Sequence, residues 1–107
     1  PKDFDFEKIY NRNFGIIKGD AFDVEVEFTG LSARYVAERM WSPDQRISRP
    51  DPTTVRLSFS PSSERELLSW VLSFGDEARI VRPERMVVRF METLRRMQEL
   101  YPDPIDG

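Results

Sequence analysis

The stretch AFDVEVEFTG, residues 21–30, decides the fold. Its apolar side chains alternate strictly with polar ones at Phe22, Val24, Val26 and Phe28. Alternation with a period of two is typical of a β-strand that has one buried face. The opposite face carries the carboxylates of Asp23, Glu25 and Glu27, and Gly30 ends the strand. We therefore expect a half-buried strand whose open face is acidic.

Working outward from this strand, we predict three more strands. The stretch TTVRLSFSP, residues 53–61, repeats the alternation, with Arg56 and Ser58 facing outward from Val55, Leu57 and Phe59. A weaker strand is expected over residues 45–49, before a turn that contains Pro50 and Pro52. Proline restricts a strand to edge pairing. The stretch EARIV, residues 77–81, predicts a short strand.

Helices are predicted between these strands. LSARYVAERM, residues 31–40, places Leu31, Tyr35, Val36 and Met40 on one helical face. Ser63 and Glu66 form the capping box of the next helix, whose stripe is Leu67, Leu68, Val71 and Leu72, and Gly75 suits its left-handed end. Pro83 precedes a last helix over residues 84–101. Its apolar residues have heptad-like spacing: Val87, Phe90, Met91, Leu94, Met97 and Tyr101.

The predicted order is β-α-β-β-α-β plus a C-terminal helix. This order predicts an α+β ferredoxin-like fold, with an antiparallel sheet and its helices on one face. Right-handed crossovers place the first and third strands in the centre. Glu25 and Glu27 should then lie beside Arg56 on the uncovered face, with Arg79 contributed by an edge strand.

Composition excludes several classes of function. The 107 residues include no cysteine and no histidine, which removes thiolate and imidazole chemistry, and no Gly-rich phosphate motif or calcium loop is present. We therefore expect a non-enzyme with no cofactor and no metal. The pair Glu25 and Glu27, about 6–7 Å apart on a strand, leaves a carboxylate enzyme as a disfavoured alternative. Short apolar runs interrupted by charges predict no bilayer span.

Three stretches then indicate a family: WSPDQRI (residues 41–47), ELLSWVLSFGDEARIVRPERM (66–86) and LRRMQELY (94–101). In order and spacing they resemble the C-terminal extension, or WCX domain, of WYL-domain bacterial transcriptional regulators of the DeoR-like, YafY-like type. Trp41, Pro43 and Gln45 match its W-x-P-x-Q stretch, and Trp70, Phe74 and Gly75 its W-x-x-x-F-G helix end. The turn over residues 49–52 lacks the glycine that members often carry there.

The resemblance extends to the N-terminal stretch DFDFEKIYNRNFGIIKG, residues 3–19, which looks like the joint to a WYL domain. We expect a linker or the end of that domain over residues 1–19, with a helix over residues 2–15. The WCX domain would span residues 20–102 and a tail 103–107. The Trp-Tyr-Leu motif of the sensing domain and the helix-turn-helix are absent from this chain.

The resemblance implies a cytoplasmic regulator that acts as a homodimer. DNA would bind an N-terminal helix-turn-helix, and a small molecule or single-stranded nucleic acid would be sensed through the WYL domain, both outside this chain. The implied role of the extension is effector response and dimer assembly. Arg56 and Arg79 are candidates to hold an anionic effector, with Glu25 and Glu27 beside them, although mutual neutralisation explains the same residues.

Trp41, Gln45, Trp70 and Met91 are candidate interface residues, with core packing as the alternative for both tryptophans. Met86, Met91 and Met97 suit either an adaptable interface or gaps in the core. The rival function is a nucleic-acid-binding module of the RNA-recognition type, which stacks bases on aromatic side chains of its central strands. We rank it second, because Phe22, Phe28 and Phe59 should face inward and the open face should be acidic.

Overall fold

The computed structural model describes residues 22–103, which form a four-stranded antiparallel sheet and three α-helices. In chain order the elements are β1 (Val24–Phe28), α1 (Gly30–Ala37), β2 (Arg46–Asp51), β3 (Thr54–Phe59), α2 (Glu64–Leu72), a 3-10 turn (Gly75–Glu77), β4 (Ala78–Arg82) and α3 (Glu84–Glu99). The α+β class and the C-terminal helix are confirmed. The helix predicted over residues 2–15 lies outside the described residues.

The strands lie in the order β2-β3-β1-β4, so β1 and β3 occupy the centre as predicted. Every neighbouring pair is antiparallel, and Val26 lies opposite Leu57 on one side and Ile80 on the other. This register lines up the buried residues of three strands. One face of the sheet is therefore continuous and apolar.

The alternation in β1 and β3 has the predicted result. Val24, Val26, Phe28 and Leu57 are fully buried, whereas Glu25 and Glu27 lie on the opposite face. From the helices, Val36, Leu67, Val71 and Met86 complete the core beside these strands. Full burial of a Val, Leu or Phe side chain stabilises the fold by roughly 1.5–3 kcal/mol each.

In α1 the predicted buried face is largely wrong. Val36 is buried, but Leu31 is 82% exposed and Met40 is 75% exposed, and it is Ala33 that faces the core. The helix also ends at Ala37, before Met40. Its orientation is fixed from outside, because Ser32 donates from its backbone N–H (3.0 Å) and its hydroxyl (2.6 Å) to Glu77 Oε1.

These contacts make Glu77 the cap of α1, since Thr29 N also donates to the Glu77 carbonyl oxygen at 2.9 Å. The hydroxyl of Ser32 is the main cause that lowers the pKa of Glu77 below its ordinary value. Gly30 has a φ of +64°, and a Cβ at this position would overlap the Glu77 carboxylate. The positive φ therefore favours glycine, and a Cβ would also require the Glu77 side chain to move.

The signals around α2 are confirmed. Ser63 Oγ accepts a hydrogen bond from Glu66 N at 3.0 Å, and Gly75 adopts a φ of +63° after the helix ends. The β2–β3 hairpin differs from expectation, because Pro50 lies inside β2 rather than in the turn. β2 is an edge strand with an irregular register between Ser48 and Asp51, which tolerates the proline.

Candidate functional site

The structure brings together all four predicted effector residues on the open face of the sheet. Arg56 lies between the two glutamates, with Nε 3.2 Å from Glu27 Oε1 and Nη1 3.8 Å from Glu25 Oε2. Arg79 reaches the same Glu27 Oε1 with its Nη2 at 2.8 Å. The four side chains therefore form one continuous ion-pair network.

Two further arginines make ion pairs on this face, and the sequence analysis missed both. Arg82 joins the network, whereas Arg46 forms a separate pair with Asp23. Arg82 Nε lies 2.7 Å from Glu25 Oε1, and Arg46 Nη2 lies 3.3 Å from Asp23 Oδ2. Strict alternation along β4 would put Arg82 on the face opposite Arg79. The register shift between Glu25 and Val26 turns it onto the open face instead.

The open face is consequently not acidic, and that expectation is wrong. Four arginines face three carboxylates, and the guanidinium groups are the more exposed partners. The side chains of Glu25 and Glu27 are 15% and 18% exposed, against 63% for Arg79. A ligand that approaches this face meets arginine first, although each of the four already has a carboxylate partner.

The arrangement offers little chemistry beyond charge. Glu25 and Glu27 both accept from arginine, and no aromatic side chain of β1 or β3 projects from this face in the part of the chain that the structure describes. Within residues 22–103 no group of three or more acidic side chains is placed to hold a metal ion. Base stacking of the RNA-recognition type uses aromatic rings at these positions of the central strands.

Trp41 and Gln45, predicted as interface residues, organise the loop between α1 and β2. Gln45 Oε1 accepts from Trp41 N (2.6 Å) and Ser42 N (3.2 Å), and its Nε2 donates to the carbonyl oxygen of Arg39 (3.2 Å). Trp41 Nε1 donates to the carbonyl oxygen of Val36 at 3.0 Å. Trp41 and Gln45 thus hold the backbone of this loop in place.

Trp70, on α2, lies at the centre of an aromatic cluster. Its ring centroid lies 5.1 Å from that of Trp41, 5.5 Å from Phe28 and 5.6 Å from Phe59. Both tryptophans are half-buried, so each has one side in the core and an edge at the surface. Each tryptophan therefore packs against the core and also presents an edge at the surface.

The last predicted interface residue, Met91, lies on a different surface. It is 62% exposed on α3, together with Leu94 (43%), Met97 (40%) and Tyr101 just past the helix (75%). At 100° per residue these four side chains share one side of the helix. We call them the α3 stripe. Met86, on the first turns of the same helix, is fully buried, so the three methionines divide between core and surface.

Comparison with known proteins identifies the family. A family model described as WCX domain matches residues 20–98, most of the chain. This chain belongs to the WCX domain family. The match confirms the resemblance found in the sequence, and the WCX domain has the sheet and helices described above. No curated protein matches the chain significantly. In residues 22–103 no helix is long and apolar enough to cross a bilayer.

Proposed function

We propose that this WCX domain is the regulatory, assembly-forming C-terminal domain of a bacterial helix-turn-helix transcriptional regulator, and that it pairs with a second copy through the α3 stripe. The observation that carries the proposal is the exposure of the stripe. An amphipathic helix normally buries its apolar side. Here the side that buries Met86 continues into Met91, Leu94 and Met97 with no described residue covering it.

The chemistry of the stripe favours a helix of the same kind as its partner. The charged residues of this helical segment, Glu92, Arg95, Arg96 and Glu99, lie outside the stripe. Next to it runs a groove of about 370 Å³ between α3 and β4, lined by apolar residues such as Ile80 and Phe90 and also by the charged Asp76 and Arg79. The apolar stripe itself is complementary to a second copy, as a two-fold symmetric contact requires.

The position of the stripe predicts an antiparallel pair. The N-terminal half of α3 is occupied by its own domain, where Met86 is buried and Arg85 and Arg89 both bind Glu64 of α2. A parallel pair would bring the two domain bodies to the same end, where they would collide. An antiparallel pair places them at opposite ends and brings the two exposed halves into contact.

The size of the stripe predicts a weak dimer for the isolated chain. Its four side chains expose on the order of 400 Å², within the range of functional patches but about half of what each partner gives to a standard interface. We expect a Kd on the order of 10–100 µM, as for other small interfaces. In the full regulator, other domains would add to this contact.

The open sheet face is the proposed effector-responsive surface. Arg56 and Arg79 are held by Glu25 and Glu27, so an anionic effector must displace a carboxylate to bind them. Because the guanidinium groups are the exposed partners, this exchange needs only local side-chain movement. The architecture supports a ferredoxin-like assignment, because the sheet has four antiparallel strands with β1 and β3 in the centre and β4 at an edge.

Sedimentation velocity over a concentration series tests the dimer. The wild-type chain should change from monomer to dimer as its concentration passes through the expected Kd. Met97→Glu should weaken association at least tenfold, because it places a charge in the apolar contact. The matched control is Glu92→Lys, on the charged side of the same helix, which should leave the Kd within about twofold.

Two results would refute the proposal. One is a wild-type chain that stays monomeric at millimolar concentration. The other is a dimer that Met97→Glu and Glu92→Lys weaken equally, since the contact would then lie elsewhere. Circular dichroism of both variants, which change only exposed or partly exposed positions, verifies that each remains folded.

A further inference from the structure

A groove with two indole walls shares no lining residue with the α3 stripe or with the ion-pair network of Glu25 and Glu27. It lies between the α1–β2 loop and the start of α2, and its volume is about 410 Å³. The loop contributes Trp41 and Pro43 to its lining. The end of β3, the residues after it and α2 contribute Phe59, Pro61, Glu66 and Trp70. We call it the indole groove. None of its contacts belongs to the proposed dimer.

The rings that line the indole groove are held in place. Trp41 is fixed by its Nε1–H bond to the Val36 carbonyl oxygen and by its backbone bond to Gln45. Trp70 makes edge contacts with Phe28, Phe59 and Phe74, at centroid distances of 5.3–5.6 Å. Its centroid lies 5.1 Å from that of Trp41. Rigid aromatic side chains provide contact area at a low cost in conformational entropy.

Among residues 22–103, one of the two indole N–H groups beside the groove has no acceptor. The Nε1–H of Trp41 is bonded, whereas the Nε1–H of Trp70 donates to no acceptor among residues 22–103. A half-buried indole N–H normally finds an acceptor. Because Trp70 lines the groove, this N–H is available to a ligand that carries carbonyl oxygens.

The charges of the groove select the ligand further. Neither arginine nor lysine lines it among the described residues, whereas Glu66 does. Asp44 contacts two lining residues: it accepts from Ser60 N at 3.2 Å, and its hydrogen bond with the Ser42 hydroxyl is the main cause that lowers its pKa. The Asp44 carboxylate therefore stays ionised at neutral pH. With Asp44 beside it and Glu66 in its lining, the groove disfavours anions and favours a cationic group.

These features point to one class of ligand. A proline-rich segment in the polyproline II conformation has apolar rings for aromatic walls and carbonyl oxygens with no internal hydrogen bonds. Grooves with aromatic walls recognise such segments because little entropy is lost on binding. We propose that the indole groove binds an extended, proline-rich peptide segment of a partner protein that carries a basic residue beside the prolines.

Nuclear magnetic resonance of the two indole N–H groups tests this proposal, since the chain has only two tryptophans. The probe is a polyproline peptide flanked by arginines. On titration the Trp70 Nε1–H signal should move downfield as it gains an acceptor, whereas the Trp41 signal, already bonded to Val36, should move much less. The same peptide with aspartates in place of the arginines should bind at least tenfold more weakly.

Two variants separate the parts of the site. Trp70→Phe keeps a ring but loses the donor, so it should weaken binding about fivefold, the effect of one neutral hydrogen bond. Glu66→Gln, at an exposed position, should weaken binding of the arginine-flanked peptide and leave an uncharged polyproline peptide unaffected. The proposal fails if neither indole signal responds, if the aspartate-flanked peptide binds as well, or if Glu66→Gln has no effect.

Discussion

The two halves of α3 have the same sequence pattern and opposite environments. In the N-terminal half, Met86 is fully buried and two arginines bind Glu64 of α2. In the C-terminal half, Met91, Leu94 and Met97 are 40–62% exposed on the same apolar side. The difference shows that α3 extends beyond what residues 22–103 cover. Apolar periodicity in a sequence therefore predicts a buried side of a helix, but not the molecule that buries it.

The most severe test of this comparison is truncation of one methionine in each half. Met86→Ala should lower the free energy of unfolding by about 2–5 kcal/mol, because it removes a buried side chain and leaves a cavity. Met91→Ala, measured below the dimer Kd, should lower it by less than about 0.5 kcal/mol, as at other exposed positions. Urea unfolding followed by circular dichroism gives both values. Equal losses would mean that the two halves are not different in packing.

A second test concerns the ion pairs that join the N-terminal half of α3 to Glu64 of α2, as distinct from its apolar packing. Glu64 has a side chain only 12% exposed and is the shared partner of Arg85 and Arg89. Glu64→Gln should cost about 1–2 kcal/mol, because the arginines are half exposed and regain water. Glu92→Gln, at an exposed position of the same helix, is the control and should be nearly neutral. Thermal unfolding of both variants shows whether the ion pairs with Glu64 contribute to the stability of the fold.

Much of this fold could be predicted from the sequence because its signals are local. The period-two alternation in β1 and β3, the Ser63 cap and Gly75 each depend on neighbouring residues only, and all were confirmed. The orientation of α1 could not be predicted, because Glu77, 45 residues further along the chain, determines it. The same applies to Arg82, which reaches Glu25 only through a register shift between two strands.

The candidate surfaces show the same limit. Four residues of the ion-pair network were predicted together, since strand alternation places them on one face. The sequence does not show, however, that Arg46 and Arg82 reverse the excess of charge from acidic to basic. Nor does it show where α3 leaves the sheet, which depends on how long β4 is and how α2 packs beside it.

A smaller effect is expected on the open sheet face, whose contacts are exposed. Arg79→Ala removes one ion pair with Glu27, and Arg56 remains bonded to the same carboxylate. The free energy of unfolding should change by less than about 0.5 kcal/mol, as for most surface ion pairs. A loss comparable to that of Met86→Ala would show that this face is part of the stabilising framework, in contrast to our description.

The smallest effect concerns the turn before β4, whose Glu77 accepts hydrogen bonds from Ser32 of α1. Ser32→Ala removes the hydroxyl that is the main cause of the lowered pKa of Glu77, so this pKa should rise towards its ordinary value. A carboxylate with a lowered folded-state pKa stabilises the fold above its unfolded-state pKa. That contribution disappears as the pH falls through the folded-state pKa. In Ser32→Ala the acid-induced loss from Glu77 should therefore be smaller.

Nuclear magnetic resonance titration of the Glu77 side-chain carboxyl carbon measures the pKa of Glu77 directly in the wild-type chain and in Ser32→Ala. The pKa of Asp51, which is lowered mainly by the backbone N–H of Thr53, is the internal control and should be unchanged. If Ser32→Ala leaves the pKa of Glu77 where it was, the hydrogen bond from Ser32 is not the cause.

The central claim, that the exposed half of α3 faces a second copy of itself, is tested most directly by disulfide trapping. The chain has no cysteine, so a single introduced cysteine can form a disulfide only between copies. Near the two-fold axis of an antiparallel pair, a residue lies close to its own counterpart. Leu94→Cys should therefore yield a covalent dimer rapidly under mild oxidation at concentrations near the Kd, whereas Glu92→Cys, on the charged side, should stay largely monomeric. Equal and slow cross-linking of the two variants would contradict the account.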